Sequence, residues 1–461
     1  MGSSLPDRLF KLRDHNTSLR TEILGGATTF ITMAYIVVVN PAILSFAGIP
    51  EGPSTVATIL AAAFGSLLMG FYANRPIAVA PYMGENAFIA FGLAAMGIGW
   101  QQRLGTVFIS GLVFALITIL RVRSWLANSI SASLKHSFAV GIGLFLSFIG
   151  LYETGIVTSS VAGMSPQALV RGSASVLSAP DVPVKIGNLR DPQVLLAVAG
   201  FLLICFFLYR KIRGGLILGI AATATLGYAL GMGPSPRAVV ALPFVGSYSL
   251  GAIAFKLDLA GIFRLSFLPV LLTLFLMSFL DTLGTLVGVG AAGGMLDEKG
   301  NFPKMERPMM VDAITCMFSA LVGTSTSGAY IESATGIREG ARTGLAAVTT
   351  GLLFVATLFF IPLIEPLQHL RFAYGPALIA VGLLMMNSVT KIDFGDLTEL
   401  IPAFATIVMM IFTYNIANGL TAGLVLSPLF KLVAGRRKEL NPGSVVLGLL
   451  CLVYYMFGLP H

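Results

Sequence analysis

The chain has 461 residues, 56% hydrophobic and only 11% charged, with a net charge of +8. Ordinary soluble domains carry about 25% charged residues, so this composition excludes a soluble globular protein. The basic excess is scattered between apolar runs, which argues against nucleic acid as a partner. Cys205, Cys316 and Cys451 all sit inside such runs, which argues against a disulfide framework or a cysteine metal cluster.

Residues 1–21 are polar and charged, with no apolar core or small-residue cleavage site; they read as a cytoplasmic N-terminal segment and not as a cleaved leader. Apolar runs of 16–25 residues follow, each long enough to cross a bilayer or nearly so. They predict spans at 22–40, 54–72, 84–97, 104–121, 136–151, 193–209 and 214–231. An external connecting loop, 232–264, leads to spans at 265–289, 307–323, 329–337, 343–361, 374–389, 397–414 and 416–434. In the C-terminal segment 435–461, a short apolar run at 443–458 either crosses or lies on the surface. With the N-terminus inside, inside segments hold 21 of the 29 Lys and Arg residues and outside segments 8. That is the positive-inside signature, so the charge orients the protein as a multi-pass inner-membrane chain with a cytoplasmic N-terminus.

Seven spans followed by seven more place two repeats, 22–231 and 265–434, in opposite orientation. "IRGGLILG" (212–219) and "IANGLTAG" (416–423) share I-x-x-G-L-x-x-G at the last span of each half, and "SLLMG" (66–70) and "SALVG" (319–323) each lead into a broken segment. Inverted repeats typify secondary transporters, whose sites lie on discontinuous helices near the midplane. The broken pair here is "RPIAVAPYMGENAFIAFG" (75–92) and "VGTSTSGAYIESATGIR" (322–338). Pro76 and Pro81 interrupt the first by removing N–H donors and clashing with the preceding turn. Gly323, Gly328 and the Ser/Thr run loosen the second. Half-helices 3 and 10 would present free N–H groups at a common point. Gly328 would allow close approach or a positive φ where strand meets helix, with Ser325–Ser327 bonding to ligand, water or the strand around Ile77–Ala80.

Few acids lie within spans. Asp281, deep in the eighth, costs about 2.5–3.5 kcal/mol to insert unless paired or protonated; it serves either the site or a structural hydrogen bond. Glu332 opens the tenth and would bind N–H donors and a proton, or satisfy a helix end. Asn86 offers a donor and an acceptor to a heterocycle edge, or caps its helix. Glu85 points about 100° away from Asn86, and a structural role facing the gate or a neighbouring helix is expected. Asp312 and Glu365 read as interfacial. His15, His136, His369 and His461 lie outside the centre, so no histidine relay is expected, and no Walker A, HExxH, GxSxG or CxxC pattern supports hydrolysis or ATP coupling.

"TEILGGATTFITMAYIVVVNPAIL" (21–44), "MGENAFIAFG" (83–92), "FLDTLGTL" (279–286), "GTSTSGAYIESATGI" (323–337) and "FTYNIANGL" (412–420) resemble the AzgA-like purine permeases, which belong with the nucleobase–ascorbate transporters. The resemblance, from about residue 20 to 435, implies an all-α polytopic fold of fourteen spans, with core and gate domains and elevator-like movement. It implies import of hypoxanthine, guanine or adenine driven by protons, with no metal or other cofactor. Asn86, Asp281, Glu332, Thr285 and Ser327 would contact substrate, Asp281 and Glu332 would carry the proton, and Glu85 and Gly328 are further candidates. Two positions depart from the pattern: Glu85, where an apolar residue is usual, and Asn415, where Ser is expected. The alternative reading is an anion transporter of the same fold, for bicarbonate, sulfate or a carboxylate. A homodimer is left open.

Overall fold

The computed structural model describes residues 5–120, 129–159, 184–236, 238–264, 267–295 and 302–457. Residue 121 of the fourth predicted span, residues 265–266 of the eighth, residue 458 of the C-terminal run and His461 lie outside them. The first half contains α1 (Leu5–Phe10), α2 (Leu19–Met33), α3 (Ile36–Ser45), α4 (Glu51–Leu68), β1 (Val79–Pro81), α5 (Met83–Ala87), α6 (Leu93–Ala95), α7 (Trp100–Ile119), α8 (Ala132–Glu153), β2 (Val157–Ser159), β3 (Val184–Ile186), α9 (Pro192–Tyr209) and α10 (Gly215–Ala229). The second half contains α11 (Leu268–Gly293), α12 (Glu306–Val322), β4 (Ser327–Ala329), α13 (Ser333–Arg338), α14 (Gly344–Thr357), α15 (Ile361–Gln368), α16 (Arg371–Met385), α17 (Leu397–Phe412), α18 (Ile416–Val433) and α19 (Pro442–Phe457). Among the described residues, 9 helical stretches are long and apolar enough to cross a membrane. The chain is a mostly helical, multi-pass membrane protein.

The helices pack as two groups. In one, α4, α7, α11, α12, α13 and α14 pack with α2 and α3; in the other, α8, α9, α10, α16, α17 and α18 pack together. The C-terminal run is the helix α19, lying against α18 and α11. The first predicted span is longer than expected and bends between α2 and α3. Pro41 inside α3 deprives the Val37 carbonyl of its helical donor, and Gln368 Nε2 supplies one at 3.2 Å.

Both broken segments arise from local backbone rules. Beyond α4 the chain widens into a π turn (Met69–Ala73) and stops at Asn74, whose φ of 48° ends the helix. Asn74 Oδ1 accepts the Gly344 N–H at 2.8 Å, while the buried Glu22 carboxylate accepts the Arg342 N–H at 2.7 Å. The start of α14 is thereby tied to both α2 and the end of α4. Gly323 ends α12 at φ 98°, a left-handed cap that favours glycine. The extended pieces β1 and β4 then pair antiparallel, Val79 opposite Ala329, Ala80 opposite Gly328 and Pro81 opposite Ser327. Gly328 serves close approach, not positive φ: a Cβ there would overlap the phenol of Tyr82.

Small residues let α2 meet α13. A Cβ on Gly25 would lie 2.7 Å from Ala341 Cβ, and one on Gly336 would collide with the Gly25 carbonyl. On α11, by contrast, a Cβ on Gly284 would meet nothing within 4 Å. Gly336→Val is therefore expected to lose most folded protein, since overpacking alone costs about 1–3 kcal/mol, whereas Gly284→Ala should fold normally. The monodisperse peak in fluorescence-detected size exclusion measures both; equal peaks would refute the close approach.

Candidate functional site

The two broken segments cross at buried depth, and much of their backbone is paired. Flanking the β1–β4 pair, the Tyr82 N–H donates to the Thr326 carbonyl and the Tyr330 N–H to the Ala78 carbonyl, both at 2.9 Å. Ser66 Oγ receives the Val79 N–H at 3.0 Å, and Ser333 Oγ receives that of Ala78 at 3.0 Å. Buried Asn40 on α3 donates to Thr58 Oγ1 at 2.7 Å and Thr324 Oγ1 at 3.0 Å, and accepts from Ser325 Oγ at 3.2 Å. One amide thus joins α3, α4 and the approach to β4. The α13 N–H groups expected to be free are taken: those of Ser333, Ala334 and Thr335 donate to the carbonyls of Tyr330, Ile331 and Glu332.

Four carboxyl groups surround this crossing. Asp281 is half-buried on α11, with Thr285 one turn further along the same face. Glu332 is half-buried before α13 and accepts the Tyr35 hydroxyl at 2.9 Å. Its side chain makes no capping bond, so the helix-end reading fails. Glu85 on α5 is fully buried and accepts Thr326 Oγ1 at 2.9 Å, with Oε1 unpartnered. It therefore faces the opposite approach strand, and Asp281 lies within its electrostatic reach. Tyr330 is within electrostatic reach of Glu332, Glu85 and Asp281 alike. Asn86 is buried, donates to the Asn40 carbonyl at a long 3.4 Å, and its Oδ1 has no partner. No side-chain bond caps α5, so Asn86 is not a helix cap.

Asp312 is not interfacial. It lies two turns into α12, fully buried, where Oδ2 accepts Thr282 Oγ1 at 2.7 Å and the Ala329 N–H at 3.0 Å. The helix begins at Glu306, which carries this carboxylate well inside. Glu365, half-buried, accepts the Tyr248 hydroxyl at 2.8 Å. Ser327, expected on the substrate, turns its hydroxyl to Ser319 of α12 at 2.8 Å. Thr326, its neighbour on the strand, points the other way to Glu85, as strand alternation requires. Asn415 is the N-cap of α18, its side chain accepting the Ala417 N–H at 2.9 Å. Ser and Asn cap about equally well, so that departure from the family pattern leaves the local structure intact.

Tyrosines complete the setting, and the sequence reading missed them. The rings of Tyr82 and Tyr330 lie 6.4 Å apart and 9° from parallel. Tyr82 OH is 3.0 Å from Thr282 Oγ1, and Tyr330 OH donates to the Pro81 carbonyl. Buried Arg103 of α7 holds the far end of the third segment, donating to the carbonyls of Ile98 at 2.7 Å and Ile89 at 3.2 Å. Among the described residues, no group of three or more His, Cys, Asp and Glu side chains is placed to hold a metal ion.

The family model Xan_ur_permease, described as a permease family, matches residues 20–421. Adenine permease AdeP of Escherichia coli is 39% identical, the alignment covering 99% of this chain and 97% of that protein. Guanine/hypoxanthine permease PbuG of Bacillus subtilis is 36% identical over 97% of this chain and 99% of that protein. Among solved structures, the transmembrane domain of the cyanobacterial bicarbonate transporter BicA superposes with a TM-score of 0.63 at 16% identity, covering 88% of this chain and 97% of that one. SLC26A9 superposes with a TM-score of 0.59 at 13% identity, covering 92% and 66%.

Asp312 joins α11, α12 and β4 through one oxygen. Asp312→Ala is expected to destabilise the protein by about 2–3 kcal/mol, because Thr282 and the Ala329 N–H lose their acceptor in a buried site. Asp312→Asn keeps an acceptor and should cost less. Thermal unfolding of the detergent-solubilised protein ranks the two; equal losses would mean that the oxygen is not the anchor.

Proposed function

The chain belongs to the Permease family (Xan_ur_permease), the nucleobase–ascorbate transporters, and from that premise we propose that it imports purine nucleobases by proton symport. Hypoxanthine, guanine and adenine are the candidate substrates, and the setting is the inner membrane with the N-terminus cytoplasmic. The names of AdeP and PbuG support the purine class. The observation that carries the reading is the meeting of Glu332, Glu85 and Asp281 around Tyr330 where the broken segments cross, with Asn86 next to Glu85 on α5. A purine edge presents N–H donors and ring-nitrogen acceptors. Glu332 would accept the donors, and Asn86, whose Oδ1 is unpartnered, would bond to either kind. The flat tyrosine pair supplies an aromatic wall.

Fourteen spans in two inverted repeats, 22–231 and 265–434, account for the head-to-head pairing of β1 with β4. On that reading the group around α4, α11, α12 and α14 is the core, carrying the site, and the group around α8, α16 and α18 is the gate. Elevator movement would slide the first along the second. Asp281 has no basic side chain among its described electrostatic neighbours. A bare charge there is costly, and a proton removes it. The same acids disfavour an anion as cargo, and the likeness to BicA, at 16% identity, carries the fold alone. Thr285, on the Asp281 face, is a further substrate contact in this reading; no metal or cofactor beyond the proton is invoked.

Radiolabelled purine uptake in a strain lacking purine transport is expected to collapse on adding a protonophore and to survive sodium removal. The opposite pattern would overturn proton coupling.

Three variants separate the acids. Glu332→Gln replaces a charge-assisted bond with a neutral one and should raise KM about tenfold. Asp281→Asn should keep binding and exchange but lose accumulation. Glu85→Gln preserves an acceptor for Thr326 while removing charge beside Asp281, so it should change the ranking among guanine, hypoxanthine, adenine and xanthine. Normal accumulation by the first two would sink the two-carboxylate mechanism, and an equal fall for every base in the third would make Glu85 a structural tie.

A further inference from the structure

Away from the crossing, two arginines meet on the face that carries α1, the end of α4 and the start of α12. Arg75 follows the end of α4 and donates Nη2 to the Pro303 carbonyl at 2.7 Å. Its guanidinium stacks 4.9 Å from the centroid of the buried Phe302 ring. Arg307, in the first turn of α12, lies 6.0 Å from the Tyr72 ring centroid. Burial, then the nearby charge of Arg307, holds the Arg75 guanidinium below its usual value. Among the described residues no carboxylate pairs with either arginine. Glu306 precedes Arg307, but adjacent helix positions do not face each other.

Like charges held together repel, and the structure keeps both in place by ring stacking and a backbone carbonyl. An anion between them would relieve that repulsion. Guanidinium forks match phosphate oxygens bidentately, so the fitting ligand is a phosphate group. Beside the pair, Phe71 and Tyr72 are 60% and 47% exposed at the end of a helix long and apolar enough to cross a membrane. Exposed aromatics at that level are interfacial anchors. A free phosphate would gain nothing from them, whereas a phospholipid would lay its glycerol and acyl region along them. Lys11 lies nearby, next to Phe10, whose ring is 5.7 Å from that of Phe71, and basic surface of this kind matches anionic lipid.

We propose that Arg75 and Arg307 form a binding site for the phosphodiester of an anionic phospholipid, seated against Phe71 and Tyr72. The site is independent of the transport reading. Native mass spectrometry of the purified full-length protein, titrated with phosphatidylglycerol and separately with phosphatidylcholine, tests it. The wild type should retain phosphatidylglycerol in preference to phosphatidylcholine. Arg307→Gln, an exposed position that leaves the Arg75–Pro303 bond intact, should lower that retention about tenfold, as expected for losing one charge-assisted contact. The double variant R75Q/R307Q should abolish the preference while eluting normally in size exclusion. Inorganic phosphate at the same concentration should not compete. Equal retention by wild type and Arg307→Gln would overturn the site. Full competition by inorganic phosphate would overturn the lipid assignment in favour of a free phosphate.

Discussion

Non-helical backbone at membrane depth must find hydrogen-bond partners inside the protein, because lipid offers none. This chain contains two such stretches, and each is the other's partner. Pairing of β1 with β4, extended by the Tyr82–Thr326 and Tyr330–Ala78 backbone bonds, satisfies part of both at once. Much of the first helix group follows from holding that pair. Ser66 of α4, Asp312 of α12 and Ser333 of α13 each bond to a backbone group at the crossing. Gly328 is the steric condition: without a side chain it lets the Tyr82 ring lie over β4.

The polar groups that the crossing consumes differ from those it leaves available. Asn40, Ser319, Ser327 and Thr282 are engaged with protein partners. Asn86 Oδ1 and Glu85 Oε1 are buried and unpartnered. Leaving a buried polar atom unpaired costs about 1–3 kcal/mol, a cost that a fold spends where a ligand or water will meet it. Asp281 and Glu332 are half-buried, each reaching the crossing from its own element. On the proposed function, this division separates scaffold from binding surface.

Much of this was legible in the sequence because membrane helices are read from long apolar runs, and those runs fell on helices. The broken segments were legible because Pro76 and Pro81 interrupt ordinary helix, Gly323 and Gly328 loosen it, and Ser/Thr runs are rare in lipid. Asp281, Glu332 and Asn86 stood out as polar residues in apolar surroundings. Asp312 carried the same signal and was misplaced, since its burial depends on where α12 starts and only five residues separate it from Glu306. Ser327 was assigned to the substrate because composition does not reveal which face of a three-residue strand a hydroxyl takes. Tyr35, Tyr82 and Tyr330 were invisible for a different reason: aromatic residues are common in membrane chains, and only the crossing distinguishes these.

The two helix groups also differ in how they are joined, which bears on motion. Within the first group the buried contacts are rich in hydrogen bonds. Where its third segment meets the second group, the contacts are rings and aliphatic chains: Phe91 lies 5.7 Å from Tyr414, and Tyr414 lies 5.3 Å from Phe145. Gly84 fits against Ile142. A charged link, Arg213 to Glu339, sits at the exposed edge, where ion pairs contribute little. Among the described residues, sliding along that apolar seam breaks no buried hydrogen bond, whereas separating β1 from β4 would break several. On the proposed elevator reading, physical economy favours moving the crossing as one body over opening it in place.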